Sequence, residues 1–132
     1  YDYKGALEKV LPQVANAQLA KGGVLVLRPD SGDPVDAVLQ GLHAAEKCFG
    51  ATRNSKGFKV LKHAAVIQGD GVSYDAIGHM LEAVHRAGFS AQCVAYGMGG
   101  GLLQRLDRDT MSFATKLSHL RLSATGEARD IM

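Results

Sequence analysis

Gly97-Met98-Gly99-Gly100-Gly101-Leu102-Leu103-Gln104 is the stretch on which the reading of this 132-residue chain turns. It follows a short apolar run, Cys93-Val94-Ala95-Tyr96, and precedes an apolar segment able to start a helix. A strand, a glycine loop and a helix start together turn backbone N–H groups toward a phosphate. Glycine suits the loop because a Cβ would block close approach of a ligand to the backbone. Alone the signal is weak, because a triple glycine also serves as a mere flexible connection. Its weight comes from two earlier strand-like runs that also end in polar, turn-forming residues.

The first is Val24-Leu25-Val26-Leu27, a continuous apolar run of the kind expected for a strand covered on both faces in a parallel sheet. It stops at Arg28-Pro29-Asp30-Ser31-Gly32. The second is Ala64-Ala65-Val66-Ile67-Gln68, ending in Gly69-Asp70-Gly71-Val72. Helical patterns lie between and before the strands. Ala6, Leu7, Val10, Leu11, Val14 and Ala17 give a period near 3.6 over residues 3–20, with Pro12 set to kink or split the helix and Gly22-Gly23 to end it. Asp33-Pro34 supplies an N-cap and a first-turn proline for a helix that buries Val35, Val38, Leu39, Leu42 and Ala45 and closes at Phe49-Gly50. Residues 51–63 read as a loop with a turn or hairpin at Asn54-Ser55-Lys56-Gly57. Ser73 caps a third helix with an apolar side of Ile77, Leu81 and Val84, Met80 alongside, and Gly88 at its end. The third strand spans 92–96. Beyond the glycine loop a short helix is expected near 102–106 and an extended segment over 113–122.

The order is α-β-α-β-α-β, then irregular. This is the signature of parallel βα units, either a small doubly wound sheet or part of a (β/α) barrel. Both architectures bind ligands at the C-terminal ends of strands. Arg28 and Asp30, then Gly69 and Asp70, then Gly99 and Gly100 therefore converge on one rim. Glycine N–H groups and Arg28 suit a phosphate, which guanidinium meets bidentately. Asp30 and Asp70 suit vicinal ribose hydroxyls or a hydrated Mg²⁺. Arg105, Arg108 and Lys116 lie beyond the cradle, placed for a second anionic group. The bland alternatives are an ordinary turn with a local Arg28–Asp30 ion pair, a plain Gly69-Asp70-Gly71 turn, and a solvated charged patch at Arg105–Asp109. No nucleophile–base pair and no histidine-rich metal cluster is visible. His43, His79 and His85 fall at helical positions as surface or boundary residues, and His63 and His119 have no assignable partner.

The charge of +2 is too small to argue for nucleic acid, and no apolar run is long enough to span a membrane. Two cysteines without metal-type spacing read as a reducing, cytoplasmic setting. The chain starts at Tyr1 without a methionine and stops at Arg129-Asp130-Ile131-Met132 with no closing feature, so it is expected to be a single partial domain from a longer protein.

Arg28-Pro29-Asp30-Ser31-Gly32, Asn54-Ser55-Lys56-Gly57, Val66-Ile67-Gln68-Gly69-Asp70-Gly71-Val72 and the glycine loop occur in the order and near spacing of nicotinamide phosphoribosyltransferases. Arg108-Asp109 and Lys116 continue the resemblance, which covers almost the whole chain and fades after about residue 122. It implies the later part of the irregular α/β barrel of the type II phosphoribosyltransferases, with residues 113–132 beginning a following extended segment. The implied activity transfers phosphoribose from phosphoribosyl pyrophosphate to nicotinamide, giving nicotinamide mononucleotide and pyrophosphate, in a homodimer. Mg²⁺ accompanies phosphoribosyl pyrophosphate, and ATP coupling belongs to the parent protein. By motif, Arg28 resembles the arginine near the pyridine ring and phosphate. Asp30, Gly69 and Asp70 resemble ribose-contacting residues, and Gly99 and Gly100 the donors to the 5′-phosphate. Arg108 and Lys116 resemble basic residues facing phosphates at the dimer interface. Met98 departs from the small residue expected there, which a main-chain cradle tolerates. The ring-stacking aromatic, the amide-reading aspartate and the phosphorylated histidine of the family belong upstream; none of the five histidines here matches the last. The chain thus holds the phosphoribose half of a site, no catalytic residue of its own, and is expected to be inactive in isolation. The rivals are a nicotinate phosphoribosyltransferase and a non-catalytic phosphate- or nucleotide-binding piece.

Overall fold

The computed structural model describes residues 2–99, 117–123 and 126–130. The fold is α/β. A helical stretch opens it, with α1 (Tyr3–Gly5), a π-helical turn (Ala6–Val10) and α2 (Leu11–Lys21). Pro12 explains the break. It has no N–H to donate and its ring crowds the preceding turn, so the chain widens to a π turn before α2 restarts at Leu11. Gly22, at φ 80°, ends α2 as expected.

Strand β1 (Leu25–Leu27) is followed by α3 (Pro34–Phe49). The Asp33 carboxylate accepts from Asp36 N–H at 2.9 Å, and Pro34 opens the first turn. The β2 (Ala51–Arg53) and β3 (Lys59–Leu61) hairpin turns at Asn54, whose side chain accepts from Lys56 and Phe58 N–H, both at 3.0 Å. Lys59 returns the hairpin to α3 through an ion pair with Glu46 at 2.8 Å, its ammonium 4.9 Å from the centre of the Phe89 ring. Then come β4 (Ala64–Gln68), α4 (Tyr74–Arg86) and β5 (Val94–Tyr96). Ser73 Oγ caps α4 by accepting from Ala76 N–H at 3.2 Å. The third strand starts later than the apolar run implies, because Ala91–Cys93 closes a 3₁₀ turn onto Ser90. Of the expected extended segment, β6 (His119–Arg121) is described and pairs antiparallel with β7 (Ala128–Asp130). His119 does have a partner: its Nδ1 lies 2.8 Å from Asp130 Oδ1.

Strands β1, β4 and β5 form a parallel sheet in the order β1-β4-β5. The register puts Leu25, Leu27, Ala64, Val66, Gln68, Val94 and Tyr96 on one face. Val38, Leu42, Ala45 and Phe49 of α3 and Met80 and Val84 of α4 share a core with Ala64, Val66 and Val94. Both crossover helices therefore cover the same face. The other face carries Val26, Ala65, Ile67 and Ala95, and Val26 is 52% exposed. The expectation that β1 is covered on both faces is corrected here. Its run is continuously apolar, yet among the described residues only the helix-facing side is covered, with Leu25 and Leu27 half-buried against the core. The α4 stripe is corrected too. Met80 is wholly buried and Leu81 is 37% exposed, so the helix sits rotated toward Met80 and Val84. Among the described residues no helix is long and apolar enough to cross a membrane.

Candidate functional site at the carboxyl ends of the strands

The three parallel strands end side by side, so the residues that follow them are neighbours. Arg28 follows β1, Gly69 follows β4 and Gly97 follows β5. The Arg28 guanidinium stands over Gly69, its Nη2 3.8 Å from where a Cβ on that glycine would lie. On the other side of Gly69, a Cβ at Gly97 would lie 3.5 Å from the Gly69 Cα. Gly97 N–H donates to the Gln68 carbonyl at 2.8 Å, the last rung of the β4–β5 ladder. Arg28, Gly69 and Gly97 thus form one contiguous rim in strand order.

Gln68 is the residue that strand-end reasoning passes over. It is 1% exposed, the one buried polar side chain in the described core. Its Oε1 accepts two N–H groups, from Gly69 at 2.8 Å and Asp70 at 3.2 Å. A signal for it exists in the sequence. Alternation along Ala64–Gln68 places Gln68 on the face of Ala64 and Val66, where a polar side chain needs internal partners.

Arg28, Asp30 and Asp70 are exposed and, among the described residues, form no ion pair. The local Arg28–Asp30 pair that would make this an ordinary turn is not formed. Pro29 between them is fully buried, anchoring the loop so that its neighbours project outward. Gly71, at φ 60°, turns the chain from Asp70 toward the Ser73 cap, and Val72 plugs the core beneath. Gly99 is exposed with open space around it. Gly100, Arg105, Arg108 and Lys116 lie outside the described residues, as does the helix expected near 102–106.

Two tyrosine hydroxyls, of Tyr3 and Tyr96, are buried without a hydrogen-bond partner among the described residues. Burial pushes the Tyr3 phenol up to about 12 and raises that of Tyr96. Tyr96 stands beside Gln68 in register, at the base of the rim. No group of three or more metal-ligating side chains occurs among the described residues. Asp30 and Asp70 are exposed carboxylates that follow neighbouring strands, the donor type a hydrated hard cation takes.

The model of the nicotinate phosphoribosyltransferase (NAPRTase) family matches residues 8–128. The chain belongs to this family. Relatives named nicotinamide phosphoribosyltransferase resemble it over most of its length. The one from Xanthomonas campestris pv. campestris is 51% identical over 104 residues, 79% of this chain and 22% of the relative. That of Mycoplasma pneumoniae is 32% identical, across 95% of this chain and 31% of the relative. That of Mycoplasma genitalium is 30% identical, across 92% and 30%. The chain therefore spans under a third of the length of these relatives.

Proposed function

We propose that this chain is the phosphoribose-binding part of an enzyme that transfers phosphoribose from phosphoribosyl pyrophosphate to nicotinamide, giving nicotinamide mononucleotide and pyrophosphate in NAD salvage. One observation carries the reading: Arg28, Gly69 and Gly97 meet on a single rim with Arg28, Asp30 and Asp70 all unpaired. Such a rim holds a phosphate and a polyol together. Arg28 and the N–H groups of Gly99 and Gly100 take the phosphate. Asp30 and Asp70 accept hydrogen bonds from the ribose hydroxyls. With both ends of the sugar fixed, its anomeric carbon is presented to the ring nitrogen, and positioning supplies much of the rate. Asp30 and Asp70 would hold the water shell of a Mg²⁺ ion arriving with the substrate, and that ion would supply positive charge against the pyrophosphate. Arg108 and Lys116 are proposed to face phosphates across a homodimer interface.

The sheet supports the architectural side of this reading. Sequential parallel strands with both crossover helices on one face build a closing (β/α) barrel, whereas a doubly wound sheet distributes helices to both faces. The exposed face of Val26, Ile67 and Ala95 then lines the barrel interior, completed by the rest of a cytoplasmic parent enzyme. Residues 113–132 begin the extended segment after the barrel. Nicotinamide is preferred over nicotinate because the relatives cited above carry that name, although the family model is named for nicotinate.

The test is Arg28→Ala in the full-length parent. Its KM for phosphoribosyl pyrophosphate should rise about 10- to 100-fold, the worth of one charge-assisted hydrogen bond. An unchanged KM and kcat removes Arg28 from the site.

A further inference from the structure

Gln68 is closed off from solvent, yet it hydrogen-bonds to both loops that the site needs. Its backbone carbonyl holds Gly97 N–H at 2.8 Å, and its side-chain Oε1 holds Gly69 N–H at 2.8 Å and Asp70 N–H at 3.2 Å. A carbonyl that accepts two successive N–H groups forces the backbone to curl around it. This curl begins immediately after the strand, where the chain would otherwise run on extended past Arg28. It also occupies both donors. Gly69 and Asp70 therefore have no N–H left for a ligand anion, and among the described residues the rim donors without a partner belong to Arg28 and to Met98 and Gly99 after β5. Burial makes the arrangement stiff: at 1% exposure, Gln68 has no water to exchange for these partners.

Resting on the phosphoribose reading above, we infer that Gln68 is a positioning residue that divides the labour of the rim. By consuming the Gly69 and Asp70 N–H groups it turns the post-β4 loop into a hydroxyl-reading element that acts through the Asp70 carboxylate. Anion binding is left to Arg28 and the post-β5 loop. Gln68 itself never touches substrate.

Two variants of the full-length protein separate this role from simple core packing. Gln68→Met keeps the volume and removes the acceptor. Gln68→Glu keeps an oxygen in place to accept both N–H groups. Calorimetric binding of ribose 5-phosphate and of inorganic phosphate, with amide exchange over the Gly69–Gly71 loop, gives readouts that do not depend on turnover. In Gln68→Met the loop amides lose protection and ribose 5-phosphate binds about tenfold more weakly, the worth of roughly one hydrogen bond. Inorganic phosphate binding changes less than twofold, and KM for phosphoribosyl pyrophosphate rises more than kcat falls. Gln68→Glu restores loop protection and ribose 5-phosphate affinity. Equal weakening in both variants, or equal loss of phosphate and ribose 5-phosphate binding, overturns the division of labour. If Gln68→Met does not fold, Gln68→Glu decides alone: loss of ribose 5-phosphate binding in that variant overturns the proposal. Wild-type protein that binds neither probe overturns the phosphoribose reading itself, and this proposal with it. Wild-type binding that Gln68→Met leaves intact overturns only the role of Gln68.

Discussion

The Arg28 guanidinium lies over Gly69, 3.8 Å from the position a Cβ there would occupy. That distance is ordinary van der Waals contact. A methyl at residue 69 would fit, and would stand directly beneath the charged group. Gly69→Ala should therefore fold normally, its stability within about 0.5 kcal/mol of wild type, while weakening phosphoribosyl pyrophosphate binding by crowding the guanidinium. A urea titration and a KM measurement on the same preparation separate the two effects. Loss of stability without a change in KM would mean that the close approach serves packing alone.

Arg28→Lys tests the guanidinium against the bare charge. Lysine keeps one positive charge but cannot match a phosphate bidentately. The expected result is a KM between those of wild type and Arg28→Ala, with unfolding unchanged because Arg28 is exposed and unpaired among the described residues. Full recovery by lysine would show that only net charge matters at the rim.

Met80 and Leu81 are sequence neighbours with opposite environments, the first wholly buried and the second 37% exposed. Met80→Ala should cost about 2–5 kcal/mol by opening a cavity between α4 and the sheet. Leu81→Ala should cost well under 1 kcal/mol, roughly the range of surface substitutions. Denaturant midpoints of the two variants check the rotational setting of α4. Equal losses would restore the stripe through Ile77, Leu81 and Val84.

Tyr3 carries a buried hydroxyl with no partner among the described residues, and its ionisation is pushed up to about 12 by desolvation. The neutral phenol is the form the folded state favours. Its contribution is intact below the ordinary tyrosine value near 10. It is lost as pH rises from there through about 12, because the unfolded chain then sheds the proton first. Alkaline unfolding followed at the N-terminal helix should show this loss, and Tyr3→Phe should abolish it without destabilising the protein at neutral pH. A Tyr3 ionisation near 10 in the folded protein would contradict the burial.

Much of this was legible in the residues, for identifiable reasons. Asp33-Pro34 and Ser73 act through their own backbone within one turn, so the starts of α3 and α4 fall where local chemistry puts them. Asn54 and Gly57 set the hairpin in the same way. What depended on tertiary packing was less accessible. The exposure of Val26 follows from both helices choosing one sheet face, which no single apolar run can announce. The burial of Met80 over Leu81 follows from the angle at which α4 meets the sheet. At the rim, the polar types of Arg28, Asp30, Gly69 and Asp70 were apparent, but the side chain that binds two of them together was not. Gln68 reads as the polar end of an apolar strand until the register places it on the core face.

The most direct measurement is a crystal structure of the full-length parent with phosphoribosyl pyrophosphate bound. The account predicts the 5′-phosphate in the loop after β5, within hydrogen-bonding distance of Gly99 N–H and the Arg28 guanidinium, with the ribose hydroxyls turned toward Asp30 and Asp70. A phosphoribose bound away from the carboxyl ends of β1, β4 and β5, leaving Arg28 and Asp70 in solvent, would contradict it.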